Sequence, residues 1–139
     1  MKMTRINDKI GEIEQYLQEI SDILPADFEE YKNNFEKRAA CERYFEKIIE
    51  SVVDLSFIFI KEKNLKIPED EEGVFNVLFN EKILSERLYE KLKDAKGMRN
   101  FIIHQYEKID DEIVFDSLKE EFLLDIEEFL AQIKRFIKK

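Results

Sequence analysis

Arg99, Asn100, His104 and Tyr106 fall within eight residues of one another, in the segment Gly97-Met98-Arg99-Asn100-Phe101-Ile102-Ile103-His104-Gln105-Tyr106. His104 is the only histidine in a chain of 139 residues. Imidazole, with an unperturbed pKa of about 6.5, both gives and takes a proton near neutrality. Arginine stays charged and offers a planar fork that fits phosphate oxygens. Together they suit transesterification of RNA, with the imidazole handling the 2′-hydroxyl or the leaving oxygen while the guanidinium stabilises charge gathering on the phosphorane. That chemistry requires no metal and no cofactor. A nucleophilic triad is excluded, because the lone histidine has no Ser or Cys partner at a recognised elbow.

If the segment is helical, at about 100° per residue Arg99 and Tyr106 fall within roughly 20° of each other and Asn100 and His104 within roughly 40°. All four polar groups are then expected on one broad side, with Phe101 and Ile102 facing away. Gly97 costs a helix about 1 kcal/mol relative to Ala, which calls for a packing or functional reason; its missing side chain would let a backbone or a phosphate come near. Lys91, Lys93, Lys96, Arg99 and Lys108 stand against Asp94 and Glu107, a local charge of 5 − 2 = +3 in a chain at −9. This basic patch coincides with the motif, and it makes Lys96 and Gly97 candidate substrate contacts. The structural reading of the same residues has Arg99 paired with a helix carboxylate, His104 hydrogen-bonded in packing and the Tyr106 ring in the core.

The rest of the chain reads as scaffold for that segment. Hydrophobic residues make up 44% and charged residues 40%, with three Gly and two Pro, so little interrupts helices and an all-α protein is expected. The length fits one domain, 1–139, large enough to bury a core. The net charge of −9 weakens general attraction to a polyanion, so any role with RNA or DNA must be local. Cys41 has no partner for a disulfide, and one Cys with one His cannot furnish a structural zinc site. A reducing, cytoplasmic setting is the simplest expectation. No stretch approaches the roughly 18 uninterrupted apolar residues of a membrane span.

Ile6, Ile10, Ile13, Leu17, Ile20 and Leu24 recur at helical steps and predict a first helix ending before Pro25. Asp27 with Glu30 resembles a capping box and opens a second stretch, broken near Asn33-Asn34. From Phe35 the apolar pattern runs through Ala39, Phe45, Ile49, Val52, Val53, Ser56, Phe59 and Ile60, the longest early helix. The segment 64–73 holds Pro68 and the acidic run Glu69-Asp70-Glu71-Glu72, which has no calcium-loop spacing and reads as a solvated loop. A short apolar helix over 74–79 follows, then Ser85 capping the helix that carries Leu88, Leu92, Ala95 and Met98 into the motif. Asp110 or Asp111 begins a long closing helix, kinked near Asp116-Ser117. The expected architecture is an up-and-down bundle of about five helices, with sequential helices as antiparallel neighbours.

At the motif the sequence resembles the HepT-like ribonuclease toxins of the HEPN superfamily, whose signature is Arg, four residues, His, one residue, Tyr. Here it reads Arg99, Asn100-Phe101-Ile102-Ile103, His104, Gln105, Tyr106. The helix over 37–60 with Arg38-Ala39 and Ile48-Ile49-Glu50, the Pro-containing connection, and the block GMRNFIIHQYEKID before an acidic-apolar final helix extend the likeness over roughly residues 5–137. The resemblance implies an all-α homodimer whose two motifs meet in one cleft and cleave RNA without metal. It also implies a partner, a minimal nucleotidyltransferase antitoxin that attaches AMP to the motif tyrosine, as in a type VII-like toxin–antitoxin system. Carried over by position, Arg99 and His104 are catalytic, Asn100 supports them and Tyr106 is the modified residue. A dimer at twice −9 would repel bulk RNA, which favours a restricted substrate such as a tRNA end. Two other readings compete: a non-catalytic helical module that binds a nucleotide or a nucleotidyltransferase through the same cleft, and a plain dimerisation domain.

Overall fold

A computed structural model describes residues 3–104 and 109–137, and among these every regular element is helical. Helix α1 (Met3–Ile23) buries Ile6, Ile10, Ile13, Leu17 and Ile20, the face marked out by the sequence period, against α3 (Phe35–Glu62). Polar contacts also tie the pair: Ser51 Oγ donates to a Glu12 carboxylate oxygen at 2.7 Å, and Lys9 Nζ lies 3.7 Å from an Asp54 carboxylate oxygen. The Ser51 hydroxyl, and then Lys9, hold the Glu12 carboxyl below the usual carboxylate range.

Between them lies the short α2 (Phe28–Asn33), capped by Asp27, whose carboxylate accepts from the Glu30 backbone N–H at 2.9 Å. The break expected at Asn33-Asn34 is present because the Asn34 side chain accepts from the Lys37 N–H at 3.0 Å and starts α3. The apolar pattern of α3 does not begin at Phe35, however. Phe35 is 69% exposed and Ala39 faces solvent, and burial begins at Cys41, whose thiol is pushed up to about 11 by desolvation. The chain leaves α3 through Asn64 at φ 58°, with Leu65 N–H bonded to Ile60 C=O and Asn64 N–H to Lys61 C=O, each at 3.0 Å. An asparagine tolerates that left-handed position better than most residues, and the two bonds satisfy carbonyls the helix end would leave open.

Helices α4 (Glu72–Asn80) and α5 (Glu86–His104) form the next pair. Ser85 caps α5 by accepting from the Leu88 N–H at 3.2 Å, while its own N–H donates to the Gln132 side chain at 3.0 Å, which anchors the start of α5 on the final helix. That final rod is α6 (Asp111–Ser117), a π-helical turn (Leu118–Phe122) and α7 (Leu123–Arg135) in succession. Asp110 caps it, its carboxylate accepting from Glu112 and Ile113 N–H groups. The irregularity expected at Asp116-Ser117 is the π turn that starts directly after Ser117. Such a turn takes in more residues than an α turn, and both Leu118 and Phe122 are buried in it. Phe122 stacks obliquely on Phe45 with ring centroids 4.6 Å apart, and Tyr31 meets Phe115 at 5.1 Å.

The buried apolar residues of all these helices join in one cluster. The bundle is all-α as expected, and the described residues form about six helical rods, α2 and α3 being separated at Asn34. No helix among the described residues is long and apolar enough to cross a membrane.

Candidate functional site

Helix α5 buries Leu88, Leu92, Lys96, Arg99 and Ile102, a stripe with steps of four, four, three and three. Two of these five inward residues are cations. The outward side of the same turns carries Gly97, Ile103 and His104 exposed and Asn100 half-buried. The motif is therefore divided, and the expectation of one broad polar side is corrected. Five residues at about 100° each put Arg99 and His104 roughly 140° apart, enough to send one under the bundle and the other to solvent. Ile102, expected to face away from the motif, lies buried on the side of Arg99. Tyr106 lies outside the described residues.

The inward cations are neutralised. Arg99 Nη2 donates to Glu71 Oε1 at 3.0 Å, and Lys96 Nζ donates to Glu72 Oε1 at 2.6 Å and lies 3.6 Å from Glu71 Oε1. Lys91 pairs with Glu121, and Lys93 sits 4.0 Å from Glu90 with its ammonium over the Tyr89 ring. The basic patch counted along the sequence is thus cancelled by carboxylates that a count within the segment omits; Lys108 and Glu107 lie outside the described residues. The acidic run read as a solvated loop is only partly one, because Glu71 directly precedes α4, Glu72 begins it, and both pair with the two cations.

A signal for this existed in the sequence. In an antiparallel helix pair, residues equally distant from the turn meet: Glu71 precedes Ile83 by twelve positions and Lys96 follows it by thirteen. The pairing is held in place by Gly73, whose N–H donates to the Asp70 carboxylate at 3.2 Å and whose missing Cβ would stand 2.7 Å from Pro68 Cβ. Pro68 and the start of α4 can touch only because that residue is glycine.

Gly97 differs. A Cβ there would meet nothing within 4 Å, so no packing among the described residues explains a residue that weakens its own helix. His104 ends α5 as an exposed residue. A groove between α5 and the closing rod, lined by Ala95, Met98, Ile113 and Ser117 among others, contains neither Arg99 nor His104. Among the described residues no group of three or more His, Cys, Asp or Glu side chains could hold a metal ion. Within one chain, then, Arg99 and His104 stand on different sides of α5, the first buried and the second exposed.

Comparison with known proteins decides what such an arrangement belongs to. The model of the family described as ribonuclease HepT-like matches residues 13–133, nearly the whole chain and all of α5. The chain belongs to the ribonuclease HepT-like family. Among HepT-like relatives it is similar to the mRNA nuclease HepT of Shewanella oneidensis, 24% identical over 129 residues that cover 93% of this chain and 96% of that one. It is also similar to the tRNA nuclease HepT of Aphanizomenon flos-aquae, 27% identical over 114 residues, 81% of this chain and 77% of that one. The fold matches a solved structure of the tri-AMPylated Shewanella oneidensis HEPN toxin in complex with MNT antitoxin, with a TM-score of 0.86 and 24% identity, covering 94% of this chain and 96% of that one. The HepT-like fold expected from the motif is therefore the fold observed.

Proposed function

We propose that this protein is a metal-independent endoribonuclease, the toxin of a toxin–antitoxin pair. In this reading Arg99 receives the phosphate of the scissile linkage, His104 transfers the proton, and Asn100 supports them from the adjoining outward position. Lys96 and Gly97 border the phosphate path. The observation that carries the reading is the Arg99-to-His104 motif standing at the end of α5, with His104 exposed, in a chain that belongs to a ribonuclease family across residues 13–133. The relatives named as mRNA and tRNA nucleases support RNA as the substrate class.

The active unit in this reading is a homodimer. One His and one Arg per chain gain a second set most simply by two-fold pairing of the same motif, and a two-fold contact uses the same patch on both copies. Exposed Ile103 and the unfilled space at Gly97 give α5 a face that a second copy can approach closely. The partner is a nucleotidyltransferase antitoxin, as for the AMPylated Shewanella toxin, and the modified residue is Tyr106. Incubating purified protein with total RNA in EDTA, beside His104→Ala, tests the reading. Cleavage by the wild type alone supports it, and RNA left intact by a folded wild type sinks it.

One observation favours a second reading, a non-catalytic module that binds a nucleotide or the nucleotidyltransferase. In the single chain Arg99 is occupied by Glu71, the structural role that composition alone allowed. Binding of RNA or AMP without cleavage would select it.

A further inference from the structure

Glu71 and Glu72 lie on the solvent side of the cations they pair with. Arg99 is 9% exposed and Lys96 5%, whereas the side chains of Glu71 and Glu72 are 53% and 74% exposed. An anion approaching Arg99 from water meets a carboxylate first. Arg99 Nε is itself buried and has no hydrogen-bond partner among the described residues, so the guanidinium holds a donor that its resident carboxylate does not satisfy. Glu71 uses one oxygen on Nη2 and leaves the fork incomplete, whereas a phosphate with several oxygens can take two donors at once. The carboxylates are also held in position, since the contact of Gly73 with Pro68 and the Asp70 turn set the first residues of α4.

We propose that Glu71, with Glu72 beside it, is a built-in substitute anion that occupies the Arg99–Lys96 seat and must be displaced by an RNA phosphate, so that it sets how selectively RNA is admitted. The inference rests on the ribonuclease reading for the identity of the incoming anion. The carboxylate already plays the part of the counterion at this seat, so a phosphate that replaces it releases no salt ion there. Only RNA whose other contacts outweigh the exchange gains entry. A positioning role for Glu71, in which it holds the guanidinium in line for catalysis, predicts the opposite effect on binding.

The test is equilibrium binding of a short labelled single-stranded oligoribonucleotide, in the His104→Ala background so that RNA stays intact, at several salt concentrations. Glu71→Gln is expected to tighten binding about 3- to 10-fold, the range in which exposed and partly buried ion pairs act. It should also steepen the salt dependence by about 0.7 in the logarithmic slope, because one more counterion is now released. Glu69→Gln makes the same charge change in the same acidic run, and it should leave that slope unchanged. Glu72→Gln carries the test through Lys96 if Glu71→Gln does not fold by circular dichroism. Binding that weakens in Glu71→Gln, or that changes no more than in Glu69→Gln, overturns the proposal. If the wild type binds the oligonucleotide and follows the expected pattern but cleaves no RNA, the ribonuclease reading falls and the substitute anion stands. If it cleaves RNA and Glu71→Gln binds like the wild type, the reverse holds. If no variant binds, both fall.

Discussion

Arg99 and Glu71, 28 positions apart, meet at 3.0 Å because α4 and α5 run back to back from the turn between them. Arg99 thereby has two roles that its variants can separate. His104→Ala and Arg99→Ala should each lower RNA cleavage by about 10²- to 10⁴-fold. Their stabilities should differ. His104 is exposed, and its loss should cost about 1 kcal/mol or less; truncating the buried Arg99 strands part of Glu71 and opens a void, costing about 1–3 kcal/mol. Thermal melts run beside the cleavage assay read both effects, and equal melting temperatures would contradict the ion pair.

Modification at Tyr106 should switch the protein off. An attached nucleotide carries phosphate of its own, which competes with the RNA phosphate for arginine through charge-assisted hydrogen bonds. Tyr106→Phe should stay folded and escape silencing by the cognate nucleotidyltransferase with ATP. The same AMP adduct on wild type and Tyr106→Phe in intact-mass spectrometry would assign the modification elsewhere.

Gly97→Ala should raise the melting temperature of the isolated chain. Alanine is favoured in a helix by about 1 kcal/mol over glycine, and among the described residues its methyl group meets no neighbour beyond its own helix backbone within 4 Å. If a second copy or a phosphate approaches this face, the same methyl group should weaken dimerisation or RNA binding. Light scattering of wild type and variant reads the first: a mass near twice 16.8 kDa is expected for the wild type. A monomer at micromolar concentration would count against a site shared by two copies.

Gly73→Ala should do the reverse. Its Cβ would stand 2.7 Å from a proline ring carbon that has little room to yield, and the overpacking should cost about 1–3 kcal/mol. Because Gly73 follows Glu71 and Glu72 directly, the shift should also loosen their hold on Lys96 and Arg99. Urea melts measure the cost, and a Gly73→Ala chain as stable as wild type would show that Pro68 can move aside.

Glu42 provides a pH signature. Burial, and after it the nearby Asp111, raise its carboxyl above the ordinary range, with Arg38 partly offsetting them. A raised folded-state value means the folded protein binds the proton more tightly than the unfolded chain. The favourable contribution is therefore complete below the unfolded value of about 4.3 and is lost as pH rises through the folded one. Glu42→Gln should accordingly raise the melting temperature at pH 7, with the gain vanishing near pH 4. A gain of equal size at both values would show that packing, not charge, is responsible.

Much of the helical scaffold is legible in the chain because it depends on neighbours three and four residues apart. Ile6 to Ile20 declare the buried face of α1, and Asp27, Asn34, Ser85 and Asp110 declare where helices begin, since each short polar side chain accepts from a backbone N–H within its own first turn. The Arg99-to-His104 spacing is legible for the same reason. The face each motif residue takes is not. Periodicity orders residues around an axis, but only packing of α5 against α3, α4 and α7 chooses which side is turned inward, and it chose Arg99 and Lys96 together with Leu92 and Ile102. The charge of the site is misread from the motif segment alone, because the carboxylates of Glu71 and Glu72 come from another helix and cancel a patch that reads as basic along the segment. Local order is written in short-range hydrogen bonds and spacing; electrostatic environment depends on distances through space, which exist only once the helices are packed.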